Sequence, residues 1–189
     1  MKRGFTLIEI IVSLAIFTIV ALVAVGALLR IMDANKKSIT LKTTINNMNF
    51  ALESISREMR VGSSYHCANN TETIDEDMDE QSCINGLTTD WTVAFRSSKT
   101  APDGADTCNL IYAYRYENYT LKKAQQTDCS SSLDFTPLIS PDISIDSAII
   151  KVDNISQPRV FLLLKGHNGE REREKTTFAL QTTISQRIK

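Results

Sequence analysis

Proline is absent from residues 1–101, and between Phe5 and Leu29 the only formally charged side chain is Glu9. The first absence removes the commonest breaker of a helix. The second removes what would keep a helix out of lipid. An excess of one charge sign is also missing: 21 basic against 22 acidic residues leave a net charge of -1, which excludes the overall basic character that points to nucleic acid. No H-E-x-x-H, G-x-S-x-G or G-x-x-x-x-G-K-[ST] pattern occurs, and no cysteine pair has C-x-x-C spacing. Histidine is limited to His66 and His167, each beside turn residues, so both are expected at the surface or in loops rather than as metal ligands. None of the residues singles out an enzyme.

What is present begins with the 25 residues from Phe5 to Leu29. As a helix they would be ~37 Å long, enough for a hydrocarbon core of about 30 Å. A carboxylate in that setting costs several kcal/mol unless it finds a partner, so Glu9 is a functional candidate. The run is too long for the apolar region of a cleaved secretory signal, and no A-x-A-like site precedes Arg30. Lys2 and Arg3 before the span are balanced by Arg30, Lys36 and Lys37 after it, so basic residues alone do not orient it.

Cys67, Cys83, Cys108 and Cys129 all follow the apolar run. Their wide spacing suits two disulfides in an oxidising compartment, which puts the N-terminus in the cytoplasm and the C-terminal part outside. Four cysteines allow three connectivities; Cys67 with Cys83 and Cys108 with Cys129 would each close a local loop and are favoured.

Past the span, Leu41, Ile45, Met48, Leu52, Ile55 and Met59 recur at helical spacing. They predict one helix of roughly 55 residues that ends near Arg60, with Gly62 as its stop and Gly26 as its weakest point. A loop is expected over 62–90. Strands are expected over 91–96, 110–117, 119–124, 143–152, 159–165 and 176–185, and alternation in "LIYAYRY" and "TFALQTTI" predicts half-buried antiparallel strands. The fold class is therefore α+β, a long N-terminal helix packed on a C-terminal antiparallel sheet. Its parts are a leader (1–4), a transmembrane segment (5–29), an amphipathic extension (30–61) and a globular β domain with disulfides (62–189).

"KRGFTLIE" at 2–9 resembles the class III signal of type IV prepilins and pseudopilins. The resemblance implies cleavage between Gly4 and Phe5 by a prepilin peptidase, N-methylation of Phe5, and a Glu9 that pairs with the terminal amine of a neighbouring subunit. It implies as partners other pilin or pseudopilin subunits, the peptidase, an inner-membrane assembly platform and the lipid bilayer. "NMNFALESISREMRVGSSYHC" at 47–67 and "TTISQR" at 182–187 resemble W-type minor pilins and J-type type II secretion pseudopilins. The expected role is a structural, non-enzymatic subunit of a type IV pilus or type II secretion pseudopilus, held first in the bacterial cytoplasmic membrane. The alternative is a membrane-anchored extracytoplasmic binding module that does not polymerise.

Two further stretches hold residue types that could carry chemistry. Asp75, Asp77 and Asp79 open like a calcium loop, but Glu80 and Gly86 stand where an EF-hand needs glycine and glutamate, so a solvated acidic loop is favoured over calcium and no cofactor is expected. Tyr112, Tyr114, Tyr116 and Tyr119 alternate with Arg115, Lys122 and Lys123; sheet packing explains them more cheaply than stacking on nucleic acid.

Overall fold

An uninterrupted run of helix formers, free of proline, folds as the single helix α1 (Leu7–Val61) of a computed structural model. The structure describes residues 4, 6–69, 74, 79–100, 109–126, 132–154, 157–169 and 175–187. Among the described residues eight strands follow: β1 (Ser63–Asn69), β2 (Trp91–Thr100), β3 (Asn109–Glu117), β4 (Thr120–Gln125), β5 (Thr136–Pro137), β6 (Ile143–Asp153), β7 (Arg159–Asn168) and β8 (Thr176–Ser185). The chain forms two compact units, residues 1–40 and 41–189. Helix passes without a break through Gly26 in the first.

In the second unit the strands form two antiparallel sheets rather than one, β1-β2-β3-β4-β5 and β6-β7-β8. The helix buries Thr44, Met48, Ala51, Ile55 and Met59. This corrects the expected stripe: Leu41 and Ile45 remain exposed and Leu52 is only half-buried, with Thr44 and Ala51 taking their places. The reason is size, because Ala51 lets the helix approach the sheets closely and Asn168 Nδ2 satisfies the buried Thr44 hydroxyl at 2.7 Å. Against that face lie Tyr65, Trp91, Val93, Phe95, Tyr112, Tyr114 and Tyr116 of the larger sheet, and Ile145, Ile150, Leu162 and Ile184 of the smaller.

β3 is not half-buried as its alternation predicts. Its even-numbered tyrosines face the helix, while Ile111 and Ala113 on the other face join Ala94 and Ala124 in a second cluster covered by Ile74, Leu133 and Phe135. Both faces are therefore dry, and the alternation is one of large with small residues rather than of inside with outside. The expected loop over 62–90 likewise contains β1, and the two residues of β5 were not anticipated. In β6 the buried positions change from odd (Ile143, Ile145) to even (Ala148, Ile150, Val152) across a register shift at Asp146. One bulged residue keeps both halves of the strand facing the core.

Among the described residues the buried side-chain polar atoms are matched, Asn154 Oδ1 excepted. Tyr65 donates to the carbonyl of Met59, Trp91 Nε1 to that of Ala148 at 3.1 Å, and Tyr116 to that of Ile145 at 2.9 Å. Glu58 accepts from Tyr114 at 2.6 Å and from Lys123 at 2.5 Å, tying the helix to β3 and β4. Burial pushes the Tyr65 and Tyr114 phenols well above the usual tyrosine range, and the Glu58 carboxylate adds to the effect at Tyr114, so both stay donors.

The helix ends just before Gly62, as expected, but packing rather than a left-handed backbone requires glycine there. The left-handed residue at this end is Ser64, with φ 51°, not the glycine. A Cβ at position 62 would instead stand 2.3 Å from Cδ2 of Phe95, a ring held among Tyr65, Tyr112 and Tyr114. Gly62→Ala is expected to destabilise the protein by about 1–3 kcal/mol through overpacking. In the Phe95→Leu background the same change is expected to cost clearly less in thermal unfolding. Equal costs in both backgrounds would refute the steric explanation.

Candidate functional site

The amino-terminal end of α1 is built by its own residues. Thr6 precedes the helix, its carbonyl accepts from the N–H groups of Glu9 (3.1 Å) and Ile10 (3.3 Å), and its hydroxyl lies 3.4 Å from Glu9 Oε2. Thr6 and Glu9 thus stand at the N-cap and third positions, the T-x-x-E spacing of a capping box, with the Thr6 hydroxyl turned to the Glu9 carboxylate. That signal was present in the sequence and went unread. Glu9 sits in the first turn, where the helix dipole favours an anion by typically 0.3–1 kcal/mol. The carboxylate is exposed, so it is placed to meet a partner from outside the chain.

Beyond Glu9 the helix is long and apolar enough to cross a membrane, and none of the apolar window is buried within the structure. Its few hydroxyls turn inward: Ser13 Oγ donates to the carbonyl of Glu9 and Thr18 Oγ1 to that of Leu14 at 2.7 Å. Back-bonding of this kind leaves no side-chain donor facing lipid at those two positions. Gly4 is exposed, while Phe5 lies outside the described residues.

Residues 1–25 match a family model, the prokaryotic N-terminal methylation motif. The chain carries a methylation motif. It supports a type IV pilin-like family and a substrate of prepilin peptidase, with pilin-family subunits as assembly partners in general. The long helix followed by antiparallel sheets is a pilin-like layout. The methylation motif together with the apolar helix also supports anchoring in a membrane. No curated protein matches the chain, and no solved structure does.

The other sequence candidates lie far along the chain from the methylation motif. A disulfide joins Cys67 to Cys83, with Cα atoms 6.0 Å apart; Cys108 and Cys129 fall outside the described residues. The segment that follows Asp79 joins both sheets. Gln81 donates its N–H to the carbonyl of Tyr65 in β1, then Cys83 and Leu87 donate to Val152 and Ile150 in β6, and Leu87 accepts from Ile150 in return. Asn154 adds to this seam by donating from Nδ2 to the carbonyl of Tyr65 at 3.0 Å. This seam was not legible beforehand, because residues 81–87 carry no strand pattern.

His66 is buried in β1 rather than at the surface, and its Nδ1 donates to the carbonyl of Asp79 at 2.8 Å. His167 lies in β7, half-buried, and donates to Asp146 at 2.9 Å. Asp79 is exposed, while Asp75 and Asp77 fall outside the described residues. Among the described residues no group of three or more His, Cys, Asp or Glu could hold a metal ion. Tyr112, Tyr114 and Tyr116 are core residues, Arg115 lies 3.8 Å over the Phe135 ring, and Lys122 pairs with Glu117. Of that aromatic and basic series only Tyr119, 65% exposed at the tip of the β3–β4 hairpin, is fully at the surface.

Removing the disulfide with Cys67→Ala/Cys83→Ala is expected to lower stability by about 3 kcal/mol, the loop-closure value for a crosslink spanning a separation of 16. Because the loop it closes holds the seam, faster amide exchange at Leu87 and Ile150 is expected to accompany that loss. Unchanged exchange at both amides would show that the seam holds without the crosslink.

Proposed function

We propose that this chain is a structural subunit of the minor pilin or pseudopilin kind, non-enzymatic, processed between Gly4 and Phe5 and assembled into, or priming, a type IV pilus or type II secretion pseudopilus. The observation that carries the reading is a methylation motif at the head of an apolar helix whose first turn exposes a single carboxylate. The disulfide supports the orientation in this reading: Cys67 and Cys83 suit an oxidising compartment, which favours a cytoplasmic N-terminus with the sheets outside the cytoplasmic membrane.

Cleavage after Gly4 would create a cationic terminus at Phe5, four residues from Glu9. Both charges are costly in lipid, and each offers the other subunit's terminus what the bilayer withholds. Paired between subunits in a medium of low dielectric, they offset much of that cost and set the axial register of neighbouring helices. Assembly therefore moves Glu9 from a poorly solvated position to a paired one.

The intact mass of the protein from its native membrane tests the processing. Loss of Met1–Gly4 with one added methyl group is expected; a full-length, unmethylated chain in cells with an active prepilin peptidase would favour an anchored binding module instead.

Glu9 has two candidate roles, and one substitution separates them. Glutamine serves in a capping box as well as glutamate does, but carries no charge. Glu9→Gln is expected to insert and be cleaved normally yet to fall at least tenfold in filament incorporation, as Glu9→Val should. Wild-type incorporation of Glu9→Gln alongside failure of Glu9→Val would reduce Glu9 to a helix cap.

A further inference from the structure

Four strands form the edges of the two sheets, and three of them are closed. β1 receives the N–H of Gln81. β5 is two residues long and ends in Pro137. β6 is occupied by Cys83 and Leu87, and its Ile145 donates to the carbonyl of Tyr119 at 2.8 Å. Short length, proline and a covering segment are the devices by which natural sheets keep their edges from pairing.

β8 has none of them between Thr177 and Ser185; just past that stretch the outward N–H of Arg187 is taken by the carbonyl of Arg60 at 2.8 Å. It runs ten residues, pairs with β7 from Thr176 to Ser185 without a register shift, and contains neither proline nor a charged residue. Gln186 donates its N–H to the carbonyl of Pro158 at 2.9 Å, one step beyond the Arg159 and Ser185 pair. Hydrogen-bonded pairs recur at every second position of an antiparallel ladder, so the even-numbered residues of β8 direct their N–H and C=O toward β7. Thr177, Ala179, Gln181, Thr183 and Ser185 direct theirs outward, and among the described residues these groups have no hydrogen-bond partner.

A row of outward amide donors and carbonyl acceptors fits one kind of ligand, an extended backbone. Charge narrows the choice. Lys175 and Arg187 bracket the uncharged strand. A second copy's β8, laid antiparallel and centred on Gln181, would bring Lys175 toward Arg187 just beyond both ends of the ladder, and like charges brought together destabilise a pair. We infer that β8 is a strand-addition site, its edge from Thr177 to Ser185 taking an extended segment from a neighbouring subunit of another type, uncharged at its centre and flanked by carboxylates. The identity of the partner as a filament subunit rests on the function proposed above.

The test compares amide exchange of the full-length protein, unassembled in detergent and assembled in filaments from its native membrane. At least tenfold slower exchange at Thr177, Ala179, Gln181 and Thr183 in the assembled form is expected. Ala179→Pro removes one outward N–H and leaves the β7 ladder intact, the position where an edge strand tolerates proline. It is expected to melt as the wild type does and to lose incorporation at least tenfold. Should it melt lower, Gln181→Lys, which keeps every backbone group but charges the edge, decides instead with the same expected loss. Filaments in which these amides exchange as fast as in detergent overturn the site, as does wild-type incorporation of Gln181→Lys. Protection already present in the purified protein alone, with a dimeric mass, would replace the partner by a second copy and overturn the assignment. Absence of any assembled form would fail the filament reading and this inference with it.

Discussion

One helix face holds the globular unit together. Thr44, Met48, Ala51, Ile55 and Met59 are the surface on which the inner faces of both sheets close, while the sheets are joined to each other by the seam at 81–87 and by direct bonds from Trp91 and Tyr116 to β6 and from Ile145 to Tyr119. Burial of five helix positions against about a dozen large apolar side chains is non-directional and so tolerates exchange of shape. Hydrogen bonds from Tyr65, Tyr114, Lys123 and Asn168 to the helix supply the direction that packing alone lacks. The outcome is a helix whose second half is a structural wall of the domain, continuous in backbone with an apolar first half.

The same economy governs the polar backbone. Two sheets have four edges, and a chain that leaves edges open risks uncontrolled pairing. Here a loop stapled by Cys67–Cys83 closes one edge of each sheet at once, since Gln81 serves β1 while Cys83 and Leu87 serve β6. The disulfide thereby acts on tertiary order as well as on loop entropy. Against that background an open, uncharged β8 stands out as the place where the fold leaves hydrogen-bonding capacity unspent.

At the other end of the chain, the first turn of α1 shows how one residue can satisfy two demands. Glu9 accepts from the Thr6 hydroxyl and meets the positive end of the helix dipole, which lowers its cost in the isolated protein. Neither contact removes it from reach, so the same carboxylate is available to a cation from elsewhere. The methylation motif around it gives that availability a context.

Local pattern was enough for the helix and six of the strands, because an apolar run without proline and short β-branched or aromatic segments bias the backbone wherever they are placed. The N-terminal motif was legible for the same reason: its chemistry lies within nine consecutive residues. Packing decided the rest. Which of Leu41 and Thr44 is buried depends on what the opposing sheets can accommodate, and the dry second face of β3 depends on Leu133 and Phe135 arriving from elsewhere. Gly62 owes its place to a ring more than thirty positions along the chain, and His66 to a carbonyl contributed by Asp79. Burial, edge closure and steric fit are properties of pairs distant in sequence, so no window of the chain contains them until the chain has folded.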